Sequence, residues 1–528
     1  METQVSTPPK SLFARIAKST GGLTGILTGI KVLGYAEKKL LAHYFGTGYQ
    51  VDAYVVGFQL MKAFWEFARG LLSPSYLPTL IGYRATAGEA QSWQFISTMF
   101  NLMALVLVGF VALGLAFTPQ IIALAAPGFA GERFQAAVGL TRLMFTGAAF
   151  FALAIVTGLT LNSYKRFLLA VADDVVFKVA GFLGLLLLGR YIGIYGLGLG
   201  IAVGSWIAPV VHLIGLRKFL PLYQPRIDLK LPPVRQTFRL IAPLVVGTLC
   251  LESRRLIDNF FASTLAIGSV SALEFGYRLI DFAYVALAEP LAVVVLPYFA
   301  TLAFEKDHAN LTDTLMTTLR IVVLLFTPLS VCLFMLRAPV VRLLFGGGEF
   351  DEVAVQLTVT ALTYYAFGLV SFALDVILTR FYFSLSDTTT PAMLEVVTIA
   401  AHVGIIMAFI GGMAHGSMAL AFTLSKTMKV LVLYGLLTKK IEDLQGARNL
   451  RFVGKILAAA ALMMTVMAGY QGWFLSRYEL ASVFRQALLI GSSGGLGGAL
   501  FLSAAFALHV PEVRLGLGKL WQSRNIRV

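Results

Sequence analysis

The sequence predicts an all-α integral membrane protein of about fourteen transmembrane helices, built as two pseudo-twofold-related six-helix lobes plus two C-terminal helices. Three observations carry that prediction. The 528 residues are 58% hydrophobic and only 13% charged, about half the charge of an ordinary soluble domain, and mean hydropathy is +0.80. The apolar residues gather into runs long enough to cross a hydrocarbon core of about 30 Å. Segments of the first half also recur in the second half at nearly constant spacing.

In chain order the runs are 19–44, 50–80, 95–117, 137–161, 167–189, 192–216, 238–264, 271–302, 314–336, 354–383, 389–411, 415–438, 452–473 and 484–509. Turn chemistry separates them: GTG at 46–48, APG at 126–128, GGGEFDE at 346–352 and GG at 411–412. A polar start, METQVSTPPK, precedes the first run, and that run continues into further spans, so no cleavable signal peptide is expected. The longest connection, RKFLPLYQPRIDLKLPPVRQT, is basic and proline-rich. The predicted division is an N-terminal cytoplasmic segment 1–18, a first lobe 19–216, a linker 217–237, a second lobe 238–438, a linker with two extra helices 439–509, and a cytoplasmic tail 510–528.

Charge fixes the orientation. The net charge of +15 would suit nucleic acid if it were clustered on a domain, but the basic residues sit in short segments between apolar runs. The two ends and the even-numbered loops hold roughly 20 Lys and Arg, against roughly 5 in the odd-numbered loops. Both termini are therefore expected in the cytoplasm, and no nucleic-acid partner is expected.

The repeat rests on four matches. Ala53 of GYQVDAYVVGF aligns with Ala272 of GSVSALEFGY, and Leu77-Pro78 with Leu296-Pro297. LTRLMF from Leu140 aligns with LTVTAL from Leu357, and NSYKRF from Asn162 with LTRFYF from Leu378. The order is kept and the displacement stays near 216–219 residues, the pattern of a parallel repeat.

An ionised side chain at mid-membrane costs about 2.5–3.5 kcal/mol on the insertion scale, so charged clusters should line a wet cavity. The first span carries Lys31, Glu37, Lys38 and Lys39, and the second carries Lys62, Glu66 and Arg69. The seventh carries Glu252, Arg254, Arg255 and Asp258, and the eighth carries Glu274, Arg278, Asp281 and Glu289. These are repeat-equivalent helices, expected to meet across one central cavity. Lys31 and Lys38 share a helix face, while Lys62, Glu66 and Arg69 form an i, i+4, i+7 stripe. Mixed charges with several cations suit an anionic ligand such as a diphosphate. Internal ion pairs gluing helices together, such as Glu66 with Lys62 or Asp281 with Arg278, are the competing reading.

Enzyme chemistry finds little support. Cys250 and Cys332 lie in apolar runs without a CxxC or a histidine at ligand spacing, so no metal site is expected. GSSGG at 491–495 falls inside the last span, where a nucleophile elbow cannot form and small-residue helix packing can. His402 reads as a hydrogen-bonded core residue. No nucleotide motif is present, so transport would draw on membrane potential, a proton or sodium, with the intramembrane acids Asp258 and Asp375 as cation-coupling candidates. No cofactor is expected.

Three stretches carry a resemblance. They are APGFAGERFQAAVGLTRLMF with LTLNSYKRF, then LIDNFFASTLAIGSVSALEFGYRLIDF, then LLFGGGEFDEVAVQLTVTALTYYAFGLVSFALDVILTRFYFSLSDTTTP. Together they resemble the MurJ (MviN) family of lipid II flippases, in the multidrug/oligosaccharidyl-lipid/polysaccharide exporter superfamily, across about residues 19–510. The resemblance implies a transporter, not an enzyme, that moves a polyprenyl-diphosphate-linked cell-wall precursor by alternating access. It also implies a place in the bacterial inner membrane, a lipid-linked saccharide and membrane lipids as partners, and a link to cell-wall synthesis enzymes. A flippase for another lipid-linked oligosaccharide stays open as an alternative, and a cation-coupled drug exporter fits the many cations poorly.

Residue by residue, the resemblance implies that Arg278 is the cavity arginine of the eighth helix, with Tyr277 where an acid is usual. Asp52 matches the aspartate opening the second helix, and Asp258 the acid of the seventh-helix motif, beside Asn259 in place of an arginine. The first helix departs from the pattern, with Glu37-Lys38 in place of Arg-Asp and Lys31 in place of an earlier arginine. In the second helix the usual arginine pair is missing near Trp65-Glu66, and Arg69 replaces an acid. His402 lies near an expected asparagine, without the accompanying acid of a sodium site. The expected substrate-binding set is thus Arg278, Lys31, Lys38, Asp52, Lys62, Arg69, Arg255 and Asp281.

Overall fold

Long apolar runs in a medium without water must satisfy their own backbone hydrogen bonds, and a helix does so within one segment. The computed structural model describes residues 29–438, 441, 444–479 and 482–513, and these are almost entirely helical. The segment 1–18, the start of the first span and most of the 510–528 tail lie outside the described residues. Among the described residues the one departure toward β structure is an isolated bridge between Gly347 and Phe350. Ten helices there are long and apolar enough to cross a membrane.

Two compact units form, Met1–Ile267 and Gly268–Val528. The first begins with α1 at 29–45, followed by α2 (Tyr49–Ala116), α3 (Thr118–Ala125), α4 (Gly131–Ser163) and α5 (Phe167–Ala170). It ends with α6 (Ala172–Ile192), α7 (Tyr195–Leu216) and α8 (Pro232–Ser263). Two of the expected spans run together in α2, interrupted at Gly88, whose φ of 78° suits glycine and leaves the helical path. The second unit holds α9 (Ser269–Phe304), α10 (His308–Met335), α11 (Arg337–Phe345) and α12 (Glu352–Ser384). After them come α13 (Thr389–Met413), α14 (Gly416–Leu437), α15 (Gly446–Leu475) and α16 (Val483–Ala507).

The repeat is visible in the helices themselves. The helices α4 and α12 are both 33 residues long, α7 and α14 are both 22, and the short α3 and α11 hold the same place in the order. Prolines at the repeat-matched positions Pro78 and Pro297 lie inside α2 and α9. Aromatic contacts hold each unit together, through different helices. In the first unit Trp65, Phe151 and Phe177 join α2, α4 and α6, with ring centroids 4.6–5.4 Å apart. In the second, Tyr277, Tyr365 and Phe422 join α9, α12 and α14 at 5.7–5.9 Å.

One helix departs from the expected division. The sequence repeat assigns α8 to the second lobe, whereas it packs in the first unit against α2 and α3. The reason is close approach at two points. A Cβ on Gly70 would lie 2.8 Å from Thr248 Cγ2, and one on Gly128 would run into the Ser263–Thr264 backbone. The 217–237 linker is itself seated on α2, where Gln224 N donates to Ser97 Oγ at 3.1 Å and Asn101 Nδ2 donates to the Gln224 carbonyl at 3.0 Å.

Candidate functional site

Charged side chains on α2 and α8 meet in the first unit because the Gly70–Thr248 contact brings the two helices together. The charges acting on the Glu252 carboxylate are Lys62, Glu66 and Arg255, so two residues of α2 and two of α8 form one mixed cluster. Lys62, Glu66, Glu252 and Arg255 are all half-buried. Trp65 Nε1 donates to Glu66 Oε1 at 3.3 Å. Farther along the stripe, Arg69 reaches Asp174 Oδ1 at 3.8 Å and Asp173 Oδ2 at 4.0 Å, both on α6. The Arg69 side chain stays 37% exposed, so its donors are not consumed by these long pairs.

The second unit carries a matching strip on α9. Arg278 Nε donates to Glu274 Oε1 at 2.7 Å, and its Nη1 lies 3.8 Å from Asp281 Oδ2. Glu274 is buried, while Arg278 and Asp281 keep 29% of their side chains exposed. Arg380 of α12 comes within 4.0 Å of Glu289, adding a second half-exposed cation beside the strip.

Other expected site residues are placed elsewhere. Lys38 is buried on α1, 3.5 Å from Glu37 Oε1 and 5.0 Å from the centre of the Tyr54 ring. Glu37 in turn meets Lys178 of α6 at 3.5 Å, so this group ties α1 into the lobe. Lys31, one face-equivalent step earlier, is exposed near the start of the described chain. Asp52 is fully buried and accepts from Arg133 Nη2 at 2.7 Å; Arg133 also donates to the Ser263 carbonyl at 3.3 Å. That carboxylate clamps the starts of α2 and α4 to the end of α8. Asp258 is buried on α8, and His402 is buried on α13 with its ring 6.5 Å from that of Phe422.

Asp375, a cation-coupling candidate, lies in a cluster of four charges. Lys429 Nζ lies 2.8 Å from both Asp375 Oδ1 and Glu395 Oε2. Lys426 Nζ lies 2.9 Å from Asp375 Oδ2 and 3.3 Å from Glu395. Two carboxylates from α12 and α13 thus share two ammonium groups from α14, a neutral tetrad. Sequence reasoning missed Glu395, Lys426 and Lys429, although a glutamate and an i, i+3 lysine pair inside apolar spans were legible. It also missed Arg133, Asp173 and Lys178, whose partners are too distant in sequence to be paired by spacing. Among the described residues no group of histidine, cysteine and carboxylate side chains could hold a metal ion.

At the α2 break, Arg84 donates to Glu89 at 2.6 Å, and so does the Tyr164 hydroxyl. Burial, then the bond to Glu89, pushes that hydroxyl up to about 12, so it remains a donor at physiological pH.

A family model described as lipid II flippase MurJ matches residues 41–489. The chain belongs to the MurJ family. A probable lipid II flippase MurJ of Buchnera aphidicola subsp. Schizaphis graminum is 26% identical over 503 residues, covering 93% of this chain and 96% of that protein. The lipid II flippase MurJ of Burkholderia cenocepacia is 26% identical over 467 residues, covering 87% and 90%. Among solved structures, a MurJ in its inward closed conformation superposes with a TM-score of 0.75 at 22% identity, covering 92% of this chain and 98% of that one. An inward-facing MATE transporter of the MOP superfamily gives 0.67 at 14% identity, over 79% and 96%. MurJ proteins are transporters, and the fold here is that of the MOP superfamily.

Proposed function

We propose that this protein flips lipid II across the bacterial cytoplasmic membrane by alternating access, with both termini in the cytoplasm. The observation that carries the reading is the MurJ family match, which runs through both units. In the first unit the half-buried cations Lys62, Arg69 and Arg255, and in the second unit Arg278, are each able to donate to a diphosphate, and carboxylates within each unit keep its unloaded cations from being prohibitively charged. Relatives named as lipid II flippases support the peptidoglycan precursor over other lipid-linked saccharides. Complementation of a strain depleted of its own lipid II flippase tests this directly. Growth is expected, and a well-expressed protein that fails to restore it, while supporting export of another lipid-linked saccharide, overturns the choice of substrate.

Coupling is assigned to the proton or the membrane potential and not to sodium. The support is the tetrad, in which lysine ammonium groups already neutralise Asp375 and Glu395. Transport in vesicles should persist when sodium is removed at constant pH and potential. Lys429→Gln should leave one carboxylate uncompensated and make thermal stability sodium-sensitive. Sodium dependence already present in the wild type would refute the assignment.

A further inference from the structure

The end of the second unit where α10 and α15 begin and α16 finishes holds a basic cavity separate from both charged strips. Its volume is about 350 Å³, and its polar lining is Arg320, Arg448, Arg451, Lys455, His509 and Glu512. Arg448, Arg451 and Lys455 stand at i, i+3 and i+7 on α15, and so on one face. Arg320 comes from α10 and is only 3% exposed. Two of its nitrogens are engaged: Nε donates to Asn449 Oδ1 at 3.0 Å, and Nη2 to Gln445 Oε1 at 2.7 Å. The third, Nη1, is buried with no hydrogen-bond acceptor, 3.7 Å from Glu512 Oε1.

A buried guanidinium edge without an acceptor is costly, and such orphaned donors call for a missing partner. Glu512 is too distant to be that acceptor and too weak a counter-charge for the whole cavity. Arg320, Arg448, Arg451 and Lys455 against Glu512 in the lining and Asp313 close behind it leave an excess of two positive charges. An anion with several oxygens fits, since a guanidinium and its neighbours can then donate to different oxygen atoms. The surroundings favour a lipid over a soluble anion. On α15 Leu450 and Leu457 are 75% and 61% exposed, and on α16 Phe506 is 47% exposed, an apolar surface ready for acyl chains. Loop charge assigns this end to the cytoplasmic leaflet, where basic pockets between transmembrane helices take anionic head groups.

We propose that this cavity binds the phosphate of an anionic membrane phospholipid and so fastens α15 and α16 to α10. The inference depends on the membrane orientation and not on the identity of the flipped lipid. Purified full-length protein, stripped of lipid in detergent, is titrated with phosphatidylglycerol while its melting temperature is followed. A saturable rise is expected for the wild type. The Arg451→Gln/Lys455→Gln protein should need at least about tenfold more lipid, since each charge-assisted hydrogen bond lost weakens binding about that much. Arg448→Gln serves as a second variant should the double variant fold poorly, and it should show the same direction. Phosphatidylethanolamine and inorganic phosphate should give no rise. Equal shifts with phosphatidylethanolamine, an unchanged titration in the variants, or a full shift from inorganic phosphate alone would each overturn the proposal.

Discussion

At the scale of single residues, the same chemical pattern has two different fates in this molecule, and burial decides which. Asp52 and Arg278 are both ion-paired at 2.7 Å. Asp52 is wholly enclosed and its guanidinium partner is nearly so, whereas Arg278 keeps 29% of its side chain open. Breaking a buried pair leaves an uncompensated charge, at about 3–5 kcal/mol. Asp52→Ala should therefore lower the melting temperature strongly, and binding of a purified polyprenyl-diphosphate sugar should be unchanged in whatever fraction folds. Arg278→Ala should do the reverse: near-normal expression and melting, with affinity down roughly ten- to a hundred-fold for one lost charge-assisted bond. Arg278→Lys should recover part of it, because an ammonium keeps the charge and loses the bidentate fork. Unchanged affinity in a well-folded Arg278→Ala protein would remove Arg278 from the substrate site. The Arg278–Glu274 contact is an i, i+4 pair on one helix, the kind that spacing alone makes legible. Nothing in the sequence could pair Asp52 with Arg133, 81 positions away.

At the scale of the helix, apolar length made the spans legible, while the contacts between helices were not, because they are made by what is missing. Glycines place α6 against α7 almost backbone to backbone. A Cβ on Gly200 would collide with the Ala180 carbonyl and stand 3.0 Å from Gly184 Cα, and one on Gly184 would lie 2.7 Å from Gly200 Cα. In lipid, helices associate through this kind of close approach, not through apolar burial from water. Gly200→Ala should force the pair apart, at about 1–3 kcal/mol for overpacking, and lower the melting temperature. Gly412→Ala, where a Cβ would meet open space, is the matched control and should melt like the wild type. If both variants melt alike, the α6–α7 contact is looser than described. The same blindness explains α8. Its repeat position was readable from Asp258 and its neighbours, but its seat on α2 depends on Gly70 and Gly128, two small residues without a distinguishing signal.

At the scale of the whole molecule, the orientation in the membrane rests on charge asymmetry, and the structure supplies accessible places to test it. Gln224 lies in the basic linker and Ser476 in the short connection after α15, and both are exposed. A single helix separates adjacent loops, so an error of one span anywhere between them would put both positions on the same side. The two native cysteines are half-buried, and Cys332 packs against the cluster joining α10 to α15 and α16, so alanine at both gives a background in which only the introduced thiol reports. In intact cells a membrane-impermeant thiol reagent should label Ser476→Cys and leave Gln224→Cys untouched. Permeabilised cells should label both. The inverse pattern in intact cells would turn the molecule over. It would place the basic cavity of Arg320, Arg448 and Arg451 in the outer leaflet, where the attraction of basic residues to anionic cytoplasmic lipids no longer acts. Labelling of both sites in intact cells would instead mean an even number of crossings between 224 and 476, where the seven expected spans make an odd one. The paired six-helix repeat does not allow that, so this result would count against the repeat itself and not only against its direction.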